Sequence, residues 1–339
     1  MTTSATAGDR TAWRAGWGIA LAVAFVLAVV ASIAFGSVPL GLRAVLGGLI
    51  GHSDPVTRTI VHDLRLPRAM AAALVGAALA LSGTTFQALL RNPLAEPYVL
   101  GVSGGAALGA VGSITLAQFI PVPWPVPVGA AVGSCVAIAL VVRVALGVGP
   151  TLDPRILLLA GVIVGAFANA GIFLLLSMAD VAAFRSATIW MMGSLSGSNW
   201  SGVTLLAVVL VPSFIALLAL ARPLNALAIG EETASYLGVS VERTKWIAYI
   251  VASLLAAAAV AAAGIVGFVG LIVPHAVRLV WGSNHRTLLP VAAILGATFV
   301  LLTDVAARTI AAPTELPLGA VTAVIGVPVF VALLRRRGS

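Results

Sequence analysis

The sequence predicts an all-α fold, a polytopic membrane protein with about ten transmembrane helices, on the basis of three observations. Of the 339 residues, 60% are hydrophobic and only 9% are charged, whereas about 25% of the residues of an ordinary soluble domain are charged. Long uncharged stretches recur along the chain, and most are near or above the roughly 20 residues that a helix needs to cross a bilayer. No stretch of about ten residues alternates apolar and polar positions, as the strands of a transmembrane barrel do.

Ten spans follow from the uncharged stretches and the breaks between them. Arg10 and Arg14 precede the first stretch, which is longer than the apolar region of a cleaved signal peptide, about 7–15 residues, and is therefore predicted to be a retained span. The eighth span is interrupted by Gly267, Gly270 and Pro274. The predicted spans lie at about 15–36, 68–90, 98–119, 127–147, 156–178, 201–221, 246–263, 265–281, 288–306 and 317–334.

The domain organisation predicted from these spans is one transmembrane domain, 15–334, between tails at 1–14 and 335–339. An N-terminus on the inner side places thirteen of the nineteen Lys and Arg residues inside and six outside, as the positive-inside rule requires. The sequence therefore predicts a multi-pass protein of the plasma membrane with both termini cytoplasmic. This placement also accounts for the net charge of +8, so the composition does not indicate nucleic-acid binding.

The longest charged connection on the inner side is the segment 222–245. It contains Glu231, Glu232 and Lys245 among its six charged residues, around a stretch of small residues at 234–238. A short pair of amphipathic helices here would offer a docking face to a cytoplasmic partner. Composition alone gives equal weight to a solvated loop that contacts nothing.

The chain lacks the residues for catalysis or metal binding of its own. A nucleotide-binding P-loop needs Gly-Lys-Ser/Thr, and the only lysine, Lys245, follows Thr244. None of the four histidines has the spacing of a metalloprotease helix, and a single cysteine, Cys135, cannot build a disulfide framework or a thiolate metal site. The sequence thus predicts that the chain binds no cofactor or metal, is not an enzyme, and depends on another subunit for any use of ATP.

Charged residues near a bilayer are candidates for function because they are costly there. Asp304 and Arg308 are four residues apart on one helical face, so an internal ion pair is an alternative. His275 lies near the end of the broken eighth helix, where a capping or interface role is favoured over proton transport. An ion-coupled secondary transporter, which would place carboxylates near the middle of the membrane, remains an alternative even though the long central runs contain none.

A series of motifs runs in order from about residue 65 to the C-terminus. With these motifs the chain resembles the FecCD family of ABC importer permeases, which carry ferric siderophores, haem or cobalamin. The motifs include Arg65-Leu-Pro-Arg68, Gly76-Ala-Ala-Leu-Ala-Leu-Ser-Gly83, Asn92-Pro-Leu-Ala-Glu-Pro-Tyr-Val-Leu-Gly101, Trp190-Met-Met-Gly-Ser-Leu195, Gly270-Leu-Ile-Val-Pro-His275 and Glu315-Leu-Pro-Leu-Gly319.

The resemblance implies a BtuC-like ABC importer transmembrane domain in a bacterial plasma (inner) membrane. It implies a homodimer, or a heterodimer with a related permease, whose pathway lies at the subunit interface. It also implies two cytoplasmic ABC ATPase subunits, which hold ATP and magnesium, and an extracytoplasmic substrate-binding protein. The cargo would cross by alternating access, with ferric siderophore ranked first, haem second and cobalamin third.

The resemblance also assigns roles to individual residues, each with a structural alternative. Arg65, Arg68 and Arg308 would meet carboxylates of the binding protein, although Arg65 and Arg68 could instead anchor a helix end at lipid headgroups. The region from Asn169 to Arg185 would line the pathway, although its residues could equally serve packing. The coupling candidates are Leu227, Glu231, Glu232, Leu237 and Gly238, and the pathway candidates are Asn169, Ser177, Met178, Asp180 and Arg185.

Overall fold

The structure is a computed structural model that describes residues 7–36, 41–50, 53–122 and 124–335. Within those residues every regular element is a helix. Seven helices are long and apolar enough to cross a membrane, and three shorter apolar helices accompany them. One of these helices coincides with each predicted span, so the predicted all-α polytopic fold is confirmed.

Fifteen α-helices occur in the described part of the chain. A π-helical turn, Ile60–Arg65, joins α3 to α4, and a 3-10 turn, Pro97–Leu100, precedes α5. In chain order the helices are α1 (Ala7–Ala34), α2 (Leu42–Leu49), α3 (Pro55–Thr59), α4 (Leu66–Leu89), α5 (Val102–Leu116), α6 (Val126–Val148), α7 (Pro154–Ser177), α8 (Val181–Met191), α9 (Trp200–Ala219), α10 (Ala221–Ile229), α11 (Glu231–Tyr236), α12 (Val241–Ala263), α13 (Val269–Trp281), α14 (His285–Thr309) and α15 (Leu318–Arg335).

Polar residues just before several helices set where those helices begin. The side chain of Asp153 accepts a hydrogen bond from Arg155 N at 2.7 Å, and Pro154 occupies the first helical position of α7. Asn199 and Asn284 cap α9 and α14 in the same way. Such caps satisfy backbone N–H groups that a helix leaves without partners at its start.

Helix α4 lies at the centre of the bundle. In its most apolar window 83% of the residues are buried, compared with 22% for α1, α6 and α9. It packs against α12, α13 and α14. Its polar side chains are satisfied internally, since Ser82 Oγ donates to Ala252 O at 2.7 Å and Thr84 and Thr85 donate to carbonyls one turn earlier in the helix. A helix surrounded by protein on all sides can therefore carry hydroxyl groups within a membrane.

Glycines let α4 approach its neighbours at backbone distance. A Cβ atom added to Gly76 would lie 2.1 Å from Gly296 O of α14, and one added to Gly83 would lie 2.0 Å from Gly270 O of α13. No side chain fits in either gap. The close packing expected of small residues in membrane helices is present at both crossings.

The same packing joins α5 to α6, whereas a glycine of α7 behaves differently. A Cβ atom on Gly105 would lie 2.4 Å from Gly133 O, and one on Gly109 would lie 2.1 Å from Gly129 O. Gly165 of α7 differs, because an added Cβ would meet nothing within 4 Å. The open space is on the Cβ side of Gly165 only, because a Cβ atom added to Gly104 of α5 would lie 3.5 Å from Gly165 Cα.

Of the three residues expected to interrupt the predicted eighth span, only Gly267 lies in the break that the structure shows. Pro274 lies inside α13, whereas residues 264–268 are not helical. Tyr98 Oη accepts from Val266 N at 3.1 Å and donates to Val266 O at 2.8 Å, and Glu96 Oε1 accepts from Phe268 N at 2.7 Å. Residues of the 92–101 motif thus supply the hydrogen bonds that the interrupted backbone lacks. Burial raises the pKa of the Glu96 carboxyl above its ordinary value, while the bond from Phe268 opposes that rise.

The chain ends differ in part from the predicted tails. Helix α1 begins at Ala7, so part of the segment 1–14 is helical, because the residues before the apolar block contain no helix-breaking proline. Residues 1–6 and 336–339, including Arg336 and Arg337, lie outside the described residues. The spans did not predict α2 or α8, which are too short to cross a bilayer.

We predict that Gly76→Ala destabilises the protein and that Gly147→Ala does not. The new methyl group at position 76 would force α4 and α14 apart, and overpacking of this kind costs about 1–3 kcal/mol. An added Cβ at Gly147 meets nothing within 4 Å. Thermal unfolding of the two purified variants in detergent measures the difference. Equal midpoints for the two variants would contradict the packing described for α4.

Candidate functional sites

The two ends of α4 carry different charged clusters, named here the arginine cluster and the lysine cluster. The arginine cluster lies where α4 begins and α14 ends. Arg68 donates to Asp304 from Nε at 3.1 Å and from Nη2 at 2.9 Å, and to Glu315 from Nη1 at 2.7 Å and Nη2 at 3.0 Å. Two carboxylates thus share one guanidinium, each through two bonds, which is a strong and specific geometry.

The other two arginines of this cluster hold the end of α1. Arg308 Nη2 donates to Ser32 O at 2.6 Å and to Ser32 Oγ at 2.9 Å, and its Nε lies 3.3 Å from Asp304 Oδ2. Arg65 Nη1 donates to the carbonyl oxygens of Ile33 and Ala34 at 2.8 and 2.7 Å. The side chain of Arg308 is only 5% exposed, and Arg65 is 6% exposed. Arg65 and Arg308, two of the three predicted docking residues, therefore face inward in this conformation. The alternative internal ion pair, Asp304–Arg308, is present.

Glu315 forms the exposed edge of the arginine cluster. Its side chain is 40% exposed, whereas that of Asp304 is 1% exposed. It lies on the connection between α14 and α15, outside the spans. The hydrogen bonds from Arg68 hold the pKa of the Glu315 carboxyl below its ordinary value. Of the two carboxylates on Arg68, only Glu315 can exchange its bond for water or for another protein.

The lysine cluster lies at the opposite end of α4. Lys245 Nζ is 3.0 Å from Glu231 Oε2 and 2.5 Å from Glu242 Oε1, and its side chain is 2% exposed. Glu231 Oε1 lies 3.7 Å from Arg91 Nη2, and Glu242 Oε2 accepts from Leu152 N at 3.2 Å. Lys245 is not among the site residues predicted from the sequence. The sequence did offer one indication of its importance, because it is the only lysine among nineteen cationic residues.

The predicted helix pair in 222–245 is present as α10 and α11, but its five candidate residues do not share one surface. Leu227 is 2% exposed and packs with Ala226 and Ala234 between the two helices, so it stabilises the pair and does not offer a side chain to a partner. Glu231 turns toward Lys245. Gly238, at φ +77°, ends α11 in a conformation that favours glycine.

The exposed face of the helix pair includes three large side chains, at the ends of α10 and α11. Ile229 is 72% exposed, Tyr236 84% and Leu237 66%. Glu232 is exposed beside them. Exposed apolar residues that cluster on a polar segment mark a surface for another protein. Next to this face a cleft of about 850 Å³ is lined by Arg91, residues 153–155 and residues 229–233.

The predicted pathway residues lie on one open side of α7 and on α8. Asn169, Ser177, Met178 and Arg185 are exposed. Asp180 caps α8 through a bond from Ala183 N at 2.7 Å. The same side of α7 exposes three large apolar side chains at 69–72%, which are Phe167, Phe173 and Leu174. A face this apolar on one chain is suited to contact with a second chain or with lipid.

A metal site would need several suitable side chains close together in the described part of the chain. No group of three or more His, Cys, Asp or Glu residues there could hold a metal ion. The chemistry of both clusters is accordingly that of ion pairs and hydrogen bonds.

The sequence matches the FecCD transport family over residues 24–336, which is most of the chain. The chain belongs to the FecCD transport family. Among its relatives are the cobalamin import permease BtuC of Halobacterium salinarum, 46% identical over 280 residues (83% of this chain and 74% of the relative), and the Fe(3+) dicitrate permease FecC of Escherichia coli K12, 38% identical over 323 residues (95% and 97%).

A solved structure agrees with this FecCD assignment. An inward-facing conformation of a metal-chelate type ABC transporter superposes with a TM-score of 0.84 at 32% identity, covering 94% of this chain and 98% of that one. The predicted resemblance is therefore confirmed, and this FecCD chain is a multi-pass membrane protein with the architecture of an ABC transporter permease.

We predict that Asp304→Asn is far more damaging to this FecCD protein than Glu315→Gln. Removing the Asp304 charge leaves Arg68 and Arg308 close together and buried, and breaking a buried ion pair from one side costs about 3–5 kcal/mol. Neutralising the exposed Glu315 costs less, because exposed pairs contribute about 0–1 kcal/mol. Thermal unfolding in detergent measures both. A Glu315→Gln variant as unstable as Asp304→Asn would show that the exposed edge of the cluster supports the fold.

Proposed function

We propose that this chain is the membrane-spanning permease subunit of an ABC importer for a metal chelate. The observation that carries the proposal is the chain-long likeness to the inward-facing metal-chelate type transporter at 32% identity. In this proposal two permease chains form the pathway between them, either as a homodimer or with a related permease. The chain performs no covalent chemistry, and ATP and magnesium are bound by two separate ATPase subunits.

The ATPases dock at the lysine-cluster end. The exposed face formed by Ile229, Tyr236 and Leu237 supports this proposal, because an apolar patch on two short helices fits a groove in a partner. Glu232 and Gly238 lie at its margin, whereas Leu227 and Glu231 hold the helix pair together from inside. This end is the cytoplasmic one, with both chain termini on the same side, in the plasma membrane.

The binding protein docks at the arginine-cluster end. Arg68 and Glu315 offer the accessible edge, so a carboxylate of the binding protein would approach Arg68 there. Arg65 and Arg308 contribute by fixing the end of α1 against α4 and α14; direct contact with a partner would require each to release its bonds to the α1 carbonyls. All three arginines therefore serve docking in this proposal, Arg68 by direct contact and Arg65 and Arg308 by positioning the end of α1.

The pathway runs along the open side of α7. Asn169, Ser177 and Met178 are exposed on that side, and Asp180 and Arg185 follow at the arginine-cluster end. This side of α7 is mainly apolar and offers few polar or charged groups that could bind a cargo. Passage by alternating access suits such a wall, and cargo selection belongs to the binding protein.

The cargo ranking remains ferric siderophore first, haem second and cobalamin third. The FecC relative is an Fe(3+) dicitrate permease and the BtuC relative a cobalamin permease. The decisive experiment places the chain, its ATPase and its binding protein in liposomes and follows uptake of the three cargos with and without ATP. ATP-dependent uptake of one cargo supports the proposal and identifies that cargo. Uptake driven by an ion gradient without the ATPase would replace it with a secondary transporter.

The orientation and the partner at each end can be tested with single cysteines. We predict that Thr314→Cys is labelled by a membrane-impermeant maleimide in intact cells, while Ser235→Cys is labelled only after permeabilisation. Both positions are exposed, at opposite ends of the bundle. In the assembled complex the cysteine at 314 should cross-link to the binding protein and the cysteine at 235 to the ATPase.

Both cysteine variants are made in a Cys135→Ala background, because Cys135 is the only native cysteine and is exposed. That background alone is the control for unspecific labelling. The reverse labelling pattern would show that the predicted orientation is wrong. Cross-linking of either position to the opposite partner would overturn the assignment of the two ends.

A further inference from the structure

The helix pair α10–α11 meets the bundle through a buried ammonium group. Lys245 belongs to α12 and is 2% exposed, whereas the carboxylates that it contacts, on Glu231 and Glu242, are 32% and 41% exposed. A buried ammonium group is costly unless it is paired. Lys245 is thus the inner member of the lysine cluster, and its two partners form the outer layer.

One branch of the cluster leads from α11 to the start of α7. Glu231 of α11 contacts Lys245, which contacts Glu242, and Glu242 accepts from Leu152 N. Leu152 is 0% exposed and precedes Asp153, the residue that caps α7. Three contacts therefore connect α11 to the residues that begin α7, the helix whose second half carries the proposed pathway residues.

A second branch is weaker. Glu231 Oε1 lies 3.7 Å from Arg91 Nη2, and Arg91 follows the end of α4 with 45% of its side chain exposed. An exposed ion pair at that distance contributes little. The contact of Glu231 with Lys245 is the closer of the two, at 3.0 Å, and the better shielded from water.

Helix α11 depends on contacts of this kind for its position. It has six residues, with Gly230 before it and Gly238 shortly after it, and a helix this short is marginal by itself. Its apolar contacts form a small cluster of Ala226, Leu227 and Ala234 with Val239 and Val241. The two glycines would let α11 turn on its own if the link to Lys245 were absent.

We propose that Lys245 is a positioning residue that makes α10–α11 move together with the starts of α12 and α7, so that a displacement of the exposed face by the ATPases reaches the pathway. This inference rests on the proposed function of the chain. Lys245 touches neither cargo nor nucleotide; it acts through Glu231 and Glu242. Without it, ATP hydrolysis would displace α11 while α7 stayed in place.

The first experiment measures cargo uptake and ATP hydrolysis on the same liposomes containing the complete importer. Lys245→Met should keep ATP hydrolysis but lower the cargo moved per ATP by about tenfold, within the roughly 5- to 150-fold range typical of coupling between two sites. Lys245→Arg should restore most of the ratio, because a guanidinium can bridge two carboxylates. Arg243→Met is the matched control, since Arg243 lies two residues before Lys245 on α12 and is exposed.

Misfolding is separated from uncoupling by a neutral triple variant. Lys245→Met combined with Glu231→Gln and Glu242→Gln removes the link and leaves no buried charge unpaired, because Arg91, which loses Glu231, is 45% exposed. If this variant assembles with the ATPases and moves as little cargo per ATP as Lys245→Met, the proposal is supported. A normal ratio in an assembled triple variant would overturn it, because the link would then be dispensable.

A second readout does not require transport. A spin label at Ser235→Cys, in the Cys135→Ala background and in lipid nanodiscs, reports the mobility of α11. Lys245→Met should increase that mobility, and Arg243→Met should leave it unchanged. Equal mobility with and without Lys245 would overturn the inference even if the importer is active; increased mobility in a chain that imports nothing would support the link and count against the proposed function alone.

Discussion

Backbone contact along α4 is the constraint on which the other helices depend. Membrane lipid is as apolar as the helices, so helices associate through close packing more than through hydrophobic burial. Gly76 and Gly83 allow that packing with α14 and α13 because neither glycine has a side chain. With Gly270 of α13 held against α4, the segment 264–268 runs outside any helix. Its exposed backbone groups would be costly in a membrane, and Tyr98 and Glu96 satisfy those of Val266 and Phe268.

The same constraint confines charged clusters to the two ends of α4, since charges are costly in the interior of a bilayer. The clusters differ in which member is buried. In the arginine cluster the carboxylate of Asp304 is 1% exposed and joins α4 to α14, while Arg308 adds α1. In the lysine cluster the cation is buried, and its carboxylates face water. A carboxylate in contact with water can exchange partners more easily than one enclosed by protein. The ion pairs of the lysine cluster can therefore rearrange more easily than those of the arginine cluster.

The sequence predicted what depends on local composition. All ten spans, the short helix pair in 222–245 and the Asp304–Arg308 pair could be inferred, because uncharged length, turn residues and i,i+4 spacing are visible along the chain. The inward position of Arg65 was not predictable, because its partners are carbonyls of Ile33 and Ala34 at the end of another helix. The same holds for Lys245, which contacts Glu231 of α11 and is linked through Glu242 to Leu152 before α7. Burial and partner choice between distant segments are properties of the assembled bundle.

The distribution of apolar contacts suggests which parts of the bundle can move against each other. One buried cluster joins α1, the first part of α4, α9, α13 and α14, and a second joins α5, α6, α7 and the end of α4. Helix α12 contributes to both, and Lys245 lies at its beginning. The arginine cluster ties together helices of the first group only.

A change between access states would therefore shift α7 and its neighbours relative to the group held by Asp304, with α12 as the shared boundary and α10–α11 attached beside it. Such a shift repacks apolar contacts between the two groups and leaves the buried ion pairs of Asp304 intact, which is the less costly alternative inside a membrane.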